Sequence, residues 1–174
     1  FGGGITNNGT FNAGTGLHTF DTNNQQLTGI FSIPNVTVTG VTLTNNNSLT
    51  VSTTLSGSGG LTQANNAILN IGGTSGITTL NAANAGNIVN YNGTINQQIN
   101  IPAASQYANL SFNGTGAAGI AIQPPLSTIS VSENWVNNGT GTSGTFTGFA
   151  PNGGTVIFNG ISAISGTSIT SFNN

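Results

Sequence analysis

VNYNGT at residues 89–94 and LSFNGT at 110–115 are two versions of one short text: a strand-forming run that closes on an aromatic residue, then Asn, then Gly. NNGTFNAGTGLHTFD at 7–21 and VNNGTGTSGTFTGFAPNGGTVIFNG at 136–160 carry looser versions, which include Phe20-Asp21 and Phe158-Asn159-Gly160. Gln pairs follow two of them, Gln25-Gln26 after Phe20-Asp21 and Gln97-Gln98 after Tyr91-Asn92-Gly93. Internal echoes of this kind mark a chain built by repeating one supersecondary unit. Their spacing varies, so the repeat is degenerate and has no fixed period.

The text between the echoes is strand text. GIFSIPNVTVTGVTLT at 29–44 and SLTVSTTLSG at 48–57 alternate apolar residues with Ser, Thr and Asn, and so do STISVSENWV at 127–136 and TVIFNG at 155–160. Period-two runs rich in Val, Ile, Thr and Phe are half-buried strands. Asn-Gly, Gly-Thr-Gly and Gly-Ser-Gly-Gly clusters separate them and supply the positive φ of turns. The Ala-containing runs LTQANNAILN and LNAANAG come nearest to helix, but Asn and flanking Gly break both.

Two architectures answer to this pattern. The echoes favour a parallel β-solenoid of about seven or eight coils, each of roughly 20–25 residues. Small apolar residues and some Phe would point inward, with Thr, Ser and Asn outward in inter-coil ladders. The two end coils would be open edges, inviting end-to-end stacking. The alternative is an antiparallel β-sandwich or jelly roll completed by a strand donated from a neighbouring subunit. Residues 1–174 read as a single all-β domain, with residues 1–10, opening on the glycine-rich FGGGIT, as an N-terminal arm or donor strand.

Composition narrows function. The 174 residues include no Lys, no Arg, no Cys and no Met, and the only acids are Asp21 and Glu133. Without cations the chain cannot build a basic nucleic-acid footprint or an electrostatic membrane patch, and no apolar run is long enough to span a bilayer. A disulfide scaffold and thiol chemistry are excluded. So few titratable groups predict a stability that depends weakly on pH and salt. Trypsin finds no site. Such a chain suits harsh surroundings outside the cell. Phe1 is expected to follow a processing cut, or to mark a fragment.

The runs ITNNGTFNAGTGLHTFD, GVTLTNNNSLTVSTTLSG, NIVNYNGTINQQINIP and NWVNNGT…GGTVIFNGISAISG resemble the β-strand repeats of very long bacterial surface adhesins. Less specifically, the composition resembles that of thread-like archaeal and bacterial pili whose subunits exchange donor strands. The adhesin resemblance implies parallel β-solenoids exposed outside the cell, a structural or adhesive role, and no catalytic residues.

Candidate sites are few. His18, the sole imidazole, stands beside Phe20 and reads as an outward strand residue; no nucleophile elbow, triad order or metal-ligand cluster accompanies it. Asp21 reads as a replacement for Asn at the turn of the repeat, and two acids are too few for a calcium cage of their own. No cofactor, metal site or catalytic residue is expected. Sequons occur at Asn8, Asn35, Asn46, Asn92, Asn109, Asn113 and Asn138. Those followed by Gly, at Asn8, Asn92, Asn113 and Asn138, are the better glycan acceptors, because Asn35 and Asn109 lie in strand text. Trp135, Tyr91 and Tyr107 are candidates for stacking on sugars or for core packing. Thr37-Val38-Thr39 and Thr42-Leu43-Thr44 match the threonine ranks of ice-binding solenoids, but in one region only.

The functional expectation is a structural subunit of an extracellular filament or pilus-like appendage. It would homopolymerise through β-edge pairing, carry N-glycans, and serve adhesion or surface architecture. The alternative is an adhesin stalk segment that binds surfaces or glycans.

Overall fold

The computed structural model describes residues 2–173, and the expectation attached to Phe1 lies outside them. The chain is an all-β parallel solenoid of about six turns, as the echoes suggest, and not an antiparallel sandwich. The two opening fragments lie on adjacent coils: Val89 faces Leu110 and Tyr91 faces Phe112. Six turns instead of seven or eight follow from two features: coils that lengthen along the chain, and end segments that build no complete coil.

Each coil turns three corners, so the solenoid has three faces. The first face stacks residues 30–32, then Ser48–Val51, Ile68–Ile71, Ile88–Tyr91, Asn109–Phe112, Asn134–Asn137 and Ala163–Ser165. The second stacks Leu17–Phe20, Asn35–Val38, residues 54–57 and residues 74–77, and Gln97–Gln98, Ala121–Ile122 and Phe149–Ala150 continue it. The third begins at Ile5–Asn7 and residues 25–29, passes through Thr42–Asn45, residues 60–63 and residues 79–81, and ends at Gln106–Tyr107, Thr128–Val131 and Thr155–Phe158. Among the described residues every ladder is parallel except a small hairpin, where Thr142–Ser143 pairs with Phe146–Thr147. Within the 1–10 stretch, residues 5–7 pair with residues 27–29 of the same chain.

Period two places the core. Val36 and Val38, Leu43, Leu49 and Val51, Leu55, Leu61, Leu69 and Ile71 point inward and are fully buried. The corners between the early strands are short, and Gly57 illustrates what they demand. Its φ is +121°, and a Cβ there would fall on the carbonyl oxygen of Val38 in the coil before. Only glycine lets the two backbones approach this closely.

Coil length changes along the axis, and hydrogen bonds between facing positions report it. Thr42 bonds Asn24 across a coil of 18 residues. Asn70 bonds Thr50 across 20 residues. Asn134 then bonds Asn109 across 25 residues, and Thr167 bonds Asn138 across 29 residues. The interior changes with it. Trp135 packs against Phe112 at 4.8 Å, Phe149 at 4.7 Å and Phe172 at 5.3 Å between ring centroids. At the narrow end, residues 8–16 take the place of a first-face strand, and Phe11 covers Phe31 edge-on at 5.2 Å.

Candidate functional site

His18, Asp21 and Glu133 do not converge. His18 pairs with Val36 on the second face and lies on the inward side of its strand, so the outward placement expected from sequence is corrected. Leu17 and Thr19 take the outward positions. The His18 ring is half-buried, with Nδ1 3.0 Å from the Gly16 carbonyl. Asp21 is exposed at the corner between second and third faces, where its carboxylate accepts the Thr22 hydroxyl at 3.2 Å. Glu133 occupies a corner between third and first faces, several coils further on. Its carboxylate accepts the Gly86 backbone N–H at 3.0 Å and the Asn109 amide at 2.6 Å. Glu133 thereby ties its corner to one 47 residues earlier. Among the described residues, no group of three or more His, Cys, Asp or Glu is placed to hold a metal.

The neutral amides do most of the chemistry that the structure displays. On the first face they form a ladder along the axis. The Asn70 amide donates to the Thr50 hydroxyl at 3.2 Å, Asn90 to Asn70 at 2.9 Å, Asn113 to Asn90 at 2.7 Å and Asn138 to Asn113 at 3.1 Å. The Thr167 backbone N–H donates to Asn138 at 3.0 Å and ends it. Each amide uses its N–H₂ toward one coil and its oxygen toward the next, so the polarity of the ladder is fixed along the axis.

A second set of amides points inward, a placement sequence reasoning did not foresee. Asn45 donates to Gln63 Oε1 at 2.8 Å and to the Ile68 carbonyl at 2.9 Å. Gln97 donates to the carbonyls of Ile71 and Gly73, both at 2.7 Å, and accepts the Gly93 N–H at 2.8 Å. Gln123 holds the carbonyls of Ser127 and Thr155, both at 3.0 Å. These buried amides satisfy corner backbone groups that the ladders leave over. One signal was available: Gln97 closely follows an Asn-Gly corner, in a strand where the next apolar residue, Ile99, shares its parity.

The sequons fall into this network. Asn8 is exposed in the segment over the narrow end. The Asn35 amide donates to the Thr15 carbonyl at 3.0 Å, Asn46 to the Thr28 hydroxyl at 2.9 Å, and Asn109, nearly buried, to the Asn87 carbonyl at 2.9 Å. Asn113 and Asn138 are rungs of the first-face ladder. The Asn92 side-chain oxygen is buried.

The aromatic candidates for sugar stacking are all interior: Trp135, Tyr91 and Tyr107 are each 1% exposed or less. Their rings fill the core and offer no face to a ligand. Tyr91 and Tyr107 place their hydroxyls 3.3 Å apart. The Asn100 backbone N–H donates to Tyr91 at 2.9 Å, and Tyr107 donates to the Asn100 carbonyl at 2.7 Å. Burial pushes the Tyr91 hydroxyl up to about 12, although the Tyr107 and Asn100 hydrogen bonds act the other way. Burial, then the adjacent Tyr91, raises Tyr107 well above the ordinary phenol range.

A shallow depression of about 470 Å³ lies at the narrow end, between Thr10, Phe11, Asn12, Ser32 and Pro34. None of its lining residues titrates. The threonine pairs do not form one flat array. Thr37 belongs to the second face, where its hydroxyl lies 3.0 Å from Ser56, whereas Thr42 and Thr44 belong to the third. Among the described residues no helix is long and apolar enough to cross a membrane. Comparisons of the chain with family models, with curated proteins and with solved structures return no match.

Proposed function

We propose that this chain is a structural subunit of an extracellular filament or pilus-like surface appendage, held together by β-edge pairing and serving adhesion or cell-surface architecture. One observation carries the reading. The outward amides and hydroxyls of the first face bond from coil to coil over Thr50, Asn70, Asn90, Asn113 and Asn138, so polar surface that an enzyme would aim at a substrate is used for internal cohesion. The near absence of charge gives the same cohesion at any ordinary pH or ionic strength. Self-association makes the partner a further copy of this chain, and the exposed Asn8 is the sequon most open to a glycan. The test is immuno-electron microscopy of the native cells together with negative-stain imaging of the purified chain. Surface filaments that contain the chain are expected; a chain found only inside the cell would end the reading.

A specific observation favours the stalk alternative as the second reading. Phe11 lies over Phe31 at one end of the described core, and Phe172 lies over Trp135 and Phe149 at the other, so a covering segment stands between each end and an identical copy. A segment within a longer stalk needs no end-to-end contact with identical copies. Purified chain that stays monomeric at high concentration is the outcome this reading predicts.

A further inference from the structure

We infer that Asn113–Gly114 is a site of spontaneous amide-to-acid conversion that the amide ladder holds closed, so that the ladder keeps the chain neutral as well as joining its coils. The site lies on an inner coil and has the same character in a filament or in a stalk.

The chemistry needs only the chain and water. The backbone nitrogen of the glycine attacks Cγ of the preceding asparagine. The new N–Cγ bond replaces the Cγ–Nδ2 bond, and the amide nitrogen leaves as ammonia, carrying the proton of the glycine N–H. Water then opens the cyclic imide at either carbonyl and leaves aspartate or isoaspartate. Glycine hinders this ring closure least, because it has no side chain and its backbone turns most freely. The sequence holds six such pairs, at Asn8, Asn92, Asn113, Asn138, Asn152 and Asn159. Each conversion would add a full negative charge to a chain whose net charge is −2.

Asn8, Asn152 and Asn159 are exposed. The other three follow strands of the first face, and the fold closes each of them. At Asn92 the attacking nitrogen is engaged, because the Gly93 N–H donates to Gln97 Oε1 at 2.8 Å. At Asn138 both partners are engaged: the Gly139 N–H donates to Asn137 Oδ1 at 3.3 Å, and the Asn138 oxygen accepts the Thr167 N–H at 3.0 Å. At Asn113 the amide itself is held on every side. Its Nδ2 donates to Asn90 Oδ1 at 2.7 Å and to Ser111 Oγ at 2.8 Å, and its Oδ1 accepts the Asn138 amide at 3.1 Å. Turning Cγ toward the Gly114 nitrogen breaks all three bonds. Nor can the glycine make the approach. A Cβ on Gly114 would lie 2.2 Å from the Gly119 carbonyl oxygen and 3.0 Å from that of Gly93, so its backbone has no room to swing. Burial is not the barrier, since Asn113 is only half-buried. The barrier is the set of hydrogen bonds from its own coil and the coils on either side. Gly9, by contrast, has no atom within 4 Å of an added Cβ, which makes Asn8 the open reference in the same chain.

The test is peptic mapping by mass spectrometry of the native chain and of the chain in urea, both held at mildly alkaline pH. Asn8 should convert at nearly the same rate in both. Asn113 should convert about a hundredfold more slowly in the native chain, the combined worth of three hydrogen bonds. Asn90→Ala removes one of the three and should speed native Asn113 about fivefold with Asn92 unchanged, and Ser111→Ala should do the same by removing another. Native Asn113 that converts as fast as in urea would overturn the inference, and so would an unchanged Asn113 rate in both variants. Equal acceleration at Asn92 and Asn113 would also overturn it, because the protection would then come from global stability and not from the rung.

Discussion

The coils over residues 17–81 and those over residues 97–165 solve the same packing problem with different residues. In the first region a coil takes 18 residues at Asn24–Thr42 and 20 residues at Thr50–Asn70, corners are short, and the interior is mainly Val, Leu and Ile, with Phe20 and Phe31. In the second a coil takes 25 residues at Asn109–Asn134 and 29 residues at Asn138–Thr167. Corners there swell into loops such as 139–148, and the interior is Phe112, Trp135 and Phe149. The added residues leave the coil as excursions at its corners: Gly139 and Gly148 lie against each other at the base of the hairpin 142–147, and Gly114 lies against Gly119, so the strands stay stacked while the corners protrude. In the second region rings stack on rings along the axis, and their edge-to-face contacts add to the area they bury.

Truncation at matched positions of the first face tests this comparison most severely. Trp135→Ala should cost about 4–5 kcal/mol and Leu69→Ala about 3 kcal/mol, from the usual range for deleting buried side chains. Urea denaturation measures both; equal losses would mean that the aromatic core is loosely filled and that the comparison is wrong. Gly57→Ala addresses the tight packing of the early coils. It forces a Cβ onto the Val38 carbonyl and should cost about 2–3 kcal/mol by strain alone. The Gly116→Ala change, at φ +76° in a roomy corner of the second region with no atom within 4 Å of the new Cβ, should cost about 1 kcal/mol.

The tyrosine pair marks the boundary between the regions and gives a pH signature. An unfolded tyrosine ionises near 10, whereas Tyr91 in the fold holds its proton to about 12. Stability from this group is therefore complete below pH 10 and is lost as pH rises from 10 through 12, at about 1.4 kcal/mol per pH unit. Tyr91→Phe should flatten the alkaline fall measured by thermal melts between pH 9 and 11.5. The amide ladder crosses both regions, and Asn90→Ala should cost about 1 kcal/mol, the net worth of the hydrogen bonds removed. The smallest effect expected is that of acid: from pH 3 to 9 the melting temperature should change little, because the side chains include only one imidazole and two carboxylates.

The strand text was readable because period two survives in every face: Val36 and Val38, or Leu49 and Val51, announce an inward side directly. The echoes were readable as repetition, but not as one repeating coil. Tyr91-Asn92 and Phe112-Asn113 end strands of the first face, Phe20-Asp21 ends one of the second, and Phe158-Asn159 ends one of the third. The echo is the signature of a strand meeting a corner, and a coil has three corners. The growth of the corners was hidden for the same reason, since Gly, Ser and Thr there give no periodic signal. His18 was misplaced because its inward position depends on pairing with Val36, a partner on the next coil. The inward glutamines and asparagines escaped notice because polar residues are read as outward. Only their hydrogen bonds to corner carbonyls make burial tolerable.

Electron cryomicroscopy of the purified chain at high concentration tests the central claim most directly. About six coils at about 4.8 Å give a rod about 30 Å long. The account predicts rods joined end to end into filaments, with layer spacing continuous across each junction. Single rods at every concentration would contradict it.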